Sequence, residues 1–349
     1  MTSSANRGEW AELYALSRLI TANTVAAVDR DLKPINGKFY KFLELLRKDD
    51  GSLLSFVPYA SPLSNARSQN LPDSTQLTFL TEAFLGELQT SKGRAFESPI
   101  GEKIMRLLGV TTIKASSSEK VDLYAKLAGI DGADDRELGF SIKSQIGGAS
   151  TLLNASGKTI FRFSILGGEI DVDAINAIDT PSKIKDRVKT IYASGGGLQF
   201  ESIAGVEFAN NLDLIESTLK ENLANMLVAS YRTDGRNMTD LIRYVSSQST
   251  DPSLGKKLTY QVKNFLRAVA LGMVPGEEWT GDLAAYGGYL VILPDGKLGC
   301  FHLQKDDAFK DYLINHTKLD TPSSRSGFGF VEQGPAGLTF SLNLQIRFI

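Results

Sequence analysis

The sequence is poor in the residue types on which several classes of protein depend. One cysteine and two histidines stand among its 349 residues, which excludes an intramolecular disulfide framework and a zinc cluster of cysteine and histidine. No apolar run is long enough to cross a membrane, and residues 1–7 lack the apolar core of a secretory signal peptide. We therefore expect a soluble, cytoplasmic protein with no membrane association.

The net charge of the chain is small as well. At −2, the chain lacks the basic excess that usually marks a nucleic-acid-binding protein. A cleft can still be positive while an acidic exterior suppresses nonspecific binding to nucleic acid. The charge therefore lowers the expectation of a DNA-binding protein without excluding one.

The order of elements predicts one α/β unit. A chain of this length can form one large domain or two ordinary ones, and we find no internal repeat or clear linker. The predicted domain has a core over about residues 1–170, a mainly helical segment over about 175–280 and a strand-rich segment over about 281–349. Within the core, the pattern predicts helices at 9–20, with Asn6 as the N-cap, and at 38–48, and a strand at 110–114.

Two segments near the middle of the chain alternate apolar and polar residues. Val121 and Leu123 are the apolar positions of the first, and Leu138, Phe140 and Ile142 those of the second. Alternation with a period of two predicts strands with one buried face. The intervening residues 129–136 are typical of a turn, so the two strands are predicted to form an antiparallel hairpin.

The polar positions of this hairpin suggest a chemistry. Asp122 is predicted on the solvent face of the first strand, and Ser141, Lys143 and Gln145 on that of the second. Hydrolysis of a phosphodiester needs an activated water and charge compensation, and Mg²⁺ bound by carboxylate and phosphate oxygens supplies much of both. A nearby lysine can orient the water or neutralise transition-state charge. Asp122 and Lys143 are therefore candidates for the metal ligand and the lysine of a metal-dependent phosphodiesterase.

This arrangement resembles that of the PD-(D/E)xK nucleases, and more specifically that of the HpaII-type type II restriction endonucleases. The segments that carry the resemblance are RGEWAE (7–12), KVDL (120–123), GFSIKS (139–144), TLLNAS (151–156), TPSSRSGFG (321–329) and NLQIRFI (343–349). The resemblance implies a PD-(D/E)xK core, a mixed central sheet flanked by helices, with a helical insertion and extra C-terminal strands.

The resemblance also implies a function. The expected activity is Mg²⁺-dependent cleavage of double-stranded DNA at a short palindrome of the CCGG type. A palindrome favours a homodimer on DNA, although a monomer could nick the strands in turn. A cognate DNA methyltransferase is expected to protect the host site.

The chain departs from the usual nuclease signature at one position. The second acidic residue normally stands two places before the lysine, but Ser141 occupies that place before Lys143. A serine has no charge to hold a metal, so another carboxylate must complete the site. Gln145, beside Lys143, is a further candidate for positioning water or a phosphate.

The missing carboxylate is predicted to come from the first helix. Glu12 lies four residues after Gly8, a spacing that resembles the first-helix glutamate of junction-resolving nucleases. Asp122 and Glu12 are therefore the predicted ligands of Mg²⁺. Glu9, on a neighbouring part of the same helix face, is the reserve.

Five residues are candidates for contact with DNA. Asn154 and Ser156 could read base edges or hold a phosphate, with capping of a turn as an equal alternative. Arg325 lies in a Ser/Gly loop, and a bidentate arginine is the commonest reader of guanine. Gln345 and Arg347 are predicted to share one face of the last strand, with a surface salt bridge or a phosphate contact as the alternative.

Two other functions stay open at this stage. A repair or junction-resolving nuclease would use the same chemistry but read DNA structure instead of sequence. A DNA-binding relative that no longer cuts is the second alternative, and the serine at position 141 is the feature that supports it.

Overall fold

The computed structural model describes residues 4–61, 72–93, 95–113, 120–128, 137–302, 306–323 and 327–349. The chain forms two compact units. The first unit comprises Met1–Ser150, Ala270–Gly272 and Leu283–Tyr312, and the second comprises Thr151–Val269, Met273–Asp282 and Leu313–Ile349. Each unit is thus assembled from segments that are distant in sequence. That the two act as one domain stays a prediction.

A mixed sheet of seven strands forms the centre of the first unit. In sheet order the strands are β2 (Thr24–Val28), β12 (Leu298–His302), β11 (Gly288–Ile292), β7 (Leu138–Ser144), β6 (Leu123–Ala128), β3 (Pro34–Asp49) and β4 (Ser52–Phe56). β11 runs parallel to β7 and β12 runs parallel to β2, whereas the other neighbours are antiparallel. β2 also pairs with β3, so the strand order closes on itself. The predicted α/β class with a mixed central sheet is confirmed.

Three helices pack together in the first unit. They are α1 (Arg7–Thr21), α2 (Ser74–Thr90) and α3 (Pro99–Leu108), and α1 also contacts β7. The predicted N-cap of α1 is confirmed, because Asn6 Oδ1 accepts the Glu9 N–H at 3.0 Å and Glu9 Oε2 accepts the Asn6 N–H at 2.9 Å. This reciprocal capping box satisfies donors that the first helical turn leaves unpaired. Two short strands, β1 (Ser4–Asn6) and β5 (Ala95–Glu97), pair beside the helix.

The helix predicted over residues 38–48 is wrong, because this segment belongs to β3. Its residues, KFYKFLELLRK, include strong helix formers, but helix propensity is a weak preference of well under 1 kcal/mol for most residues. In the fold, β3 pairs with β2 through its first half and with β6 and β4 through its second half. Hydrogen bonding to three partner strands therefore overrides the local preference.

The predicted hairpin is confirmed, since β6 and β7 pair antiparallel with Leu123 opposite Phe140. The predicted solvent position of Ser141 is wrong, because this residue is only 2% exposed. Ser141 lies beside Tyr289 of β11, and the Tyr289 ring packs at 4.9 Å on Phe309 of helix α10 (Asp306–Asn315). Aromatic packing therefore covers the face of the sheet that alternation alone assigned to solvent.

The strand predicted at 110–114 is also wrong for its described residues, 110–113, which form no regular element. Thr111 and Thr112 instead donate both their N–H groups and their hydroxyl groups to the Asp49 carboxylate, at 2.6–2.8 Å. Four bonds to one side chain take the place of pairing to a neighbouring strand.

The second unit contains two further sheets and most of the helices. One sheet has the order β10 (Gly197–Ile203), β9 (Ile160–Leu166), β15 (Gly337–Asn343) and β14 (Val331–Gly334), and the other has the order β13 (Thr317–Leu319), β16 (Ile346–Phe348) and β8 (Thr151–Leu153). Its helices are α4 (Val172–Asn176), α5 (Lys183–Ala193), α6 (Val206–Ile215), α7 (Leu219–Arg232), α8 (Met238–Ser247) and most of α9 (Leu254–Leu271).

A helix that crosses a membrane must be both long and apolar. Among the described residues, none of the helices combines the length and the apolar character that a membrane crossing requires.

Candidate active site

Asp122 lies immediately before β6 and is fixed by the neighbouring strand. Its N–H donates to Phe140 O at 2.9 Å, and its Oδ2 accepts the Ile142 N–H at 2.6 Å and the Ser141 hydroxyl at 3.3 Å. Among the described residues, nothing donates a hydrogen bond to Oδ1. One oxygen therefore anchors the carboxylate while the other is available to a ligand.

The electrostatic surroundings of Asp122 combine burial with positive charge. Burial raises the pKa of Asp122, and the Lys143 charge, the Ile142 N–H and the Lys120 charge oppose that rise. Burial, together with repulsion from Lys143, lowers the pKa of Lys120 to about 8, against the attraction of Asp122. A carboxylate and two lysines thus form one coupled cluster, an arrangement that is common in catalytic sites.

Ser141 acts on Asp122 as a neutral donor. Ser141 occupies the position at which the nucleases that this sequence resembles carry a second acid. Its hydroxyl group donates a hydrogen bond to Asp122 Oδ2. A second carboxylate so close would repel Asp122 and raise the pKa of one of the two acids. Serine at this place thus avoids the repulsion but contributes no charge.

Lys143 and Gln145 lie at the end of β7, where the burial of the strand decreases. Lys143 is half-buried and lies opposite Val291 of β11. Gln145 lies one residue beyond β7, donates its N–H to Ile292 O at 2.9 Å, and forms a side-chain hydrogen bond with the buried Tyr312 hydroxyl. Gln145 is nevertheless exposed, so it bonds to Tyr312 at the surface of the protein.

A buried arginine lies within electrostatic reach of both predicted metal ligands. Arg47 of β3 is 2% exposed, and its Nη2 donates to Thr112 O and Ile113 O, both at 2.8 Å. Burial lowers the pKa of Arg47, and the charges of Asp49, Glu12 and Asp122 oppose that shift. The guanidinium pairs with the buried Asp49, with Nη1 3.9 Å from Oδ1, and also lies within electrostatic reach of Glu12 and Asp122.

The two glutamates of α1 have different surroundings. Glu12 is half-buried, on a helix that contacts β7 and β3, and it interacts with the buried Arg47. Glu9 is engaged in the capping box with Asn6. Glu12 is therefore better placed than Glu9 to complete a metal site with Asp122.

The donor set bears on the kind of metal that could bind. Within the described part of the chain, no three His, Cys, Asp or Glu side chains lie together as a ready metal site. Mg²⁺ does not require such a cage, because it keeps several waters and binds one or two carboxylates together with substrate phosphates. Asp122 Oδ1, which accepts no hydrogen bond from the part of the chain that the structure describes, and the oxygens of Glu12 fit that mode of binding.

The described candidates for DNA contact all belong to the second unit. Ser156 caps a 3₁₀ turn, because its Oγ accepts the Lys158 N–H at 3.2 Å, and Asn154 is exposed. Arg347 pairs with Asp320 at 3.3 Å.

Two further candidates belong to the C-terminal part of the chain. Gln345 lies one residue before β16, and both Gln345 and Arg347 are half-buried between buried neighbours; that they share one face stays a prediction. Arg325 lies outside the described residues.

Comparison with known proteins identifies the class. A sequence model of the HpaII restriction endonuclease family matches residues 6–348. The type II restriction enzyme HpaII of Haemophilus parainfluenzae is 35% identical to this chain over 99% of both proteins. No solved structure shows a significant match.

These matches define a type II restriction endonuclease, which is a site-specific deoxyribonuclease and therefore binds DNA. Within that class, the chain belongs to the HpaII restriction endonuclease family. Type II restriction endonucleases generally use divalent metal ions.

Three residues that interact electrostatically with Asp122 were not predicted from the sequence as site residues. Arg47 was assigned to a helix, which hid its position on a strand next to β6. Lys120 lies two residues before Asp122, so the KVD spacing alone places it near the site. Tyr289 is fully buried, and burial raises its pKa, with smaller contributions from Tyr312 and from the Asp122 charge. Its position depends on the parallel pairing of β11 with β7, which no local pattern reveals.

Proposed function

We propose that the protein cleaves both strands of DNA at a short palindrome of the CCGG type, using Mg²⁺ and a PD-(D/E)xK active site. Asp122 and Glu12 hold the metal, and Lys143 serves the attacking water. One observation carries this proposal above the others: a carboxylate is held by the Ile142 N–H and the Ser141 hydroxyl within the field of Lys143. The full-length match to the HpaII family supports the type of target site.

Each residue has a chemical task in this reaction. Bound Mg²⁺ would polarise the scissile phosphate and favour deprotonation of water. Lys143 orients the water for attack in line with the departing sugar oxygen, or balances the charge that develops on phosphorus. Ser141 helps to hold the Asp122 carboxylate through Oδ2, and Oδ1, which accepts no hydrogen bond from the described residues, is the oxygen that would bind the metal. Gln145, bonded to Tyr312, positions the end of β7 that carries Lys143.

The biological setting follows from the same proposal. A palindromic target has two-fold symmetry, so a homodimer places one active site on each strand. An enzyme that cuts a short site would cut its host genome, which calls for a methyltransferase that modifies the same sequence. Both the enzyme and its partner would then act in the cytoplasm, where the DNA is.

Cleavage of a sequenced plasmid tests the proposal. The wild-type protein with Mg²⁺ should give discrete fragments whose mapped ends share one palindrome. Asp122→Ala and Lys143→Ala should each reduce cleavage by at least about 10²-fold, while both variants still bind the site. Lys297→Ala is the matched control, because this lysine is exposed in a turn and pairs with Asp295.

The outcomes separate the possible functions. Substantial cleavage by the Asp122 or Lys143 variant would refute the assigned roles. Cleavage of branched DNA alone would indicate a junction-resolving nuclease. Specific binding by the wild type without metal-dependent cleavage would indicate a DNA-binding relative.

A further inference from the structure

A basic cavity lies in the second unit, within the 151–349 part of the chain. Its volume is about 380 Å³. Its polar lining, which defines what we call the basic cavity, consists of Ser182, Lys183, Lys185, Tyr231, Arg236 and Thr321. Three cations and three hydroxyl groups therefore surround one space.

The start of helix α5 forms one wall of the basic cavity. Ser182 is the N-cap residue of this helix of 11 residues, yet its side chain accepts no hydrogen bond from the helix backbone. The N–H groups of the second and third helical residues thus have no side-chain cap. Such N–H groups, together with the helix dipole, favour an anion at this end.

A buried hydroxyl group also lines the basic cavity. Tyr231 of α7 is 2% exposed, and its hydroxyl has no hydrogen-bond partner of good geometry among the described residues. The Thr321 hydroxyl lies close enough to contribute to the pKa of Tyr231 and accepts a bond from Arg236 Nη1 at 2.6 Å. A buried donor without a partner costs free energy, so a ligand oxygen at this point would satisfy it.

The backbone holds Arg236 at the basic cavity. Leu319 donates its N–H to Arg236 O at 2.9 Å, and Asn237 forms a bridge with Lys318. These bonds connect Arg236 to the strand that leads directly into Thr321. The guanidinium and the threonine are therefore presented together.

The basic cavity has a net charge that complements one negative charge on a ligand. Lys183 pairs with Asp179 at 2.9 Å and Lys185 pairs with Asp234 at 2.8 Å, and the side chains of both acids are more than four-fifths exposed. Exposed pairs of this kind contribute little stability, so the lysines can turn to another anion. Arg236 has no ion-pair partner among the residues that the structure describes, which leaves an excess of one positive charge.

We propose that the basic cavity binds one backbone phosphate of the DNA substrate. A phosphodiester carries one negative charge and acceptor oxygens for the Arg236, Tyr231 and helix N–H donors. Thr321 and Pro322 also begin the TPSSRSGFG segment, whose Arg325 is the predicted reader of guanine. A phosphate held here would fix the register of that segment on the duplex, as phosphate contacts generally do. This inference rests on the proposed function.

Binding measured without cleavage tests the proposal. Fluorescence anisotropy with full-length protein in EDTA, over a series of salt concentrations, gives the affinity for a CCGG duplex and for an unrelated duplex of equal length. Arg236→Gln should weaken binding to both duplexes by about threefold to tenfold and reduce the slope of log K against log salt by about one. Arg243→Gln is the matched control, because Arg243 is exposed on α8 and pairs with Asp240.

Three further arms make the outcome decisive. If Arg236→Gln unfolds, Lys185→Gln should show the same reduction in slope, and Tyr231→Phe, which keeps the ring, should weaken binding of both duplexes. Wild-type affinity and slope in a folded Arg236 variant would overturn the proposal, as would an unchanged slope in Lys185→Gln. Inorganic phosphate that raises the melting temperature of the wild type, combined with unchanged DNA binding by the variants, would show a site for a small phosphate and also overturn it. Failure of the wild type to bind DNA would instead reject the proposed function.

Discussion

The surroundings of Asp122 explain how serine can replace an acid at position 141. The carboxylate accepts bonds from a neutral N–H and a neutral hydroxyl, and its pKa is raised by burial. An acid at position 141, buried at the same contact, would raise the pKa of one of the two carboxyls further. Serine keeps the contact without that repulsion, and we propose that the second metal-binding charge comes from Glu12 on a different element.

Asp122→Asn tests the electrostatics of this single residue. Burial raises the pKa of Asp122 above its ordinary value of 3.8, so the folded protein binds this proton more tightly than the unfolded chain. The stability that protonated Asp122 contributes is therefore fully present below pH 3.8, and it is lost as the pH rises through the pKa of Asp122 in the folded state. Without divalent metal, Asp122→Asn should gain stability relative to the wild type as the pH rises from about 4 to 8, measured by urea unfolding.

Asp295→Asn provides a control of opposite sign. Lys297 lowers the pKa of Asp295, so this acid stabilises the folded state above its unfolded pKa and loses that effect as the pH falls. Asp295→Asn should therefore lose stability relative to the wild type as the pH rises toward 3.8, and the difference should stay nearly constant at higher pH.

Ca²⁺ should raise the melting temperature of the wild type but not that of Asp122→Asn. Two results would contradict the proposed role of Asp122. One is a stability difference between Asp122→Asn and the wild type that does not change with pH, and the other is equal stabilisation of these two proteins by Ca²⁺.

At the scale of elements, helix α1 assigns different tasks to its two glutamates. Glu9 closes the capping box, whereas Glu12 interacts electrostatically with the buried Arg47, which also lies within electrostatic reach of Asp122. Glu12→Gln should reduce cleavage by at least about 10²-fold with the fold intact. Glu9→Gln should keep cleavage and cost up to about 1 kcal/mol of stability, as loss of a cap does. Plasmid cleavage and urea unfolding of the two variants give the comparison.

The opposite result would identify a different ligand. Wild-type cleavage by Glu12→Gln together with loss of cleavage by Glu9→Gln would move the metal ligand to Glu9. Wild-type cleavage by both variants would place the second ligand outside α1.

Strand β3 shows where prediction of elements fails. Its KFLELLRK sequence favours a helix when taken locally, and only pairing with β2, β6 and β4 makes it a strand. The same error concealed Arg47, because a residue assigned to a separate helix is not expected within electrostatic reach of Asp122. The β6–β7 hairpin was predictable because alternation and turn residues are local signals, but the burial of Ser141 depends on Tyr289 and α10, which come later in the chain.

At the scale of the whole molecule, the predicted tasks fall in different units. Asp122, Lys143 and Glu12 belong to the first unit, whereas the described DNA-contact candidates and the basic cavity belong to the second. A chain built in this way can vary the residues that read DNA without altering the residues proposed for hydrolysis.

The symmetry of the proposed target predicts the stoichiometry of the complex. Sedimentation of the protein with a palindromic duplex in Ca²⁺ should give two chains per duplex, because each half-site is equivalent under the two-fold axis. A duplex that retains only one half-site should bind fewer chains and serves as the control. One chain on the intact palindrome would instead support sequential nicking by a monomer.

The sequence by itself determined the family, through motifs spread over almost the whole chain. It also determined the hairpin that carries Asp122 and Lys143 and the capped first helix, because these two elements depend on signals within short stretches of chain. Tertiary structure decided that residues 34–49 form a strand, that Ser141 is buried, and that Arg47 lies near Asp122 and Glu12. It also brought the start of α5, Tyr231 and Arg236 together with Thr321. These features arise from pairing and packing between segments far apart in sequence, whose free energies exceed local preference and leave no local pattern.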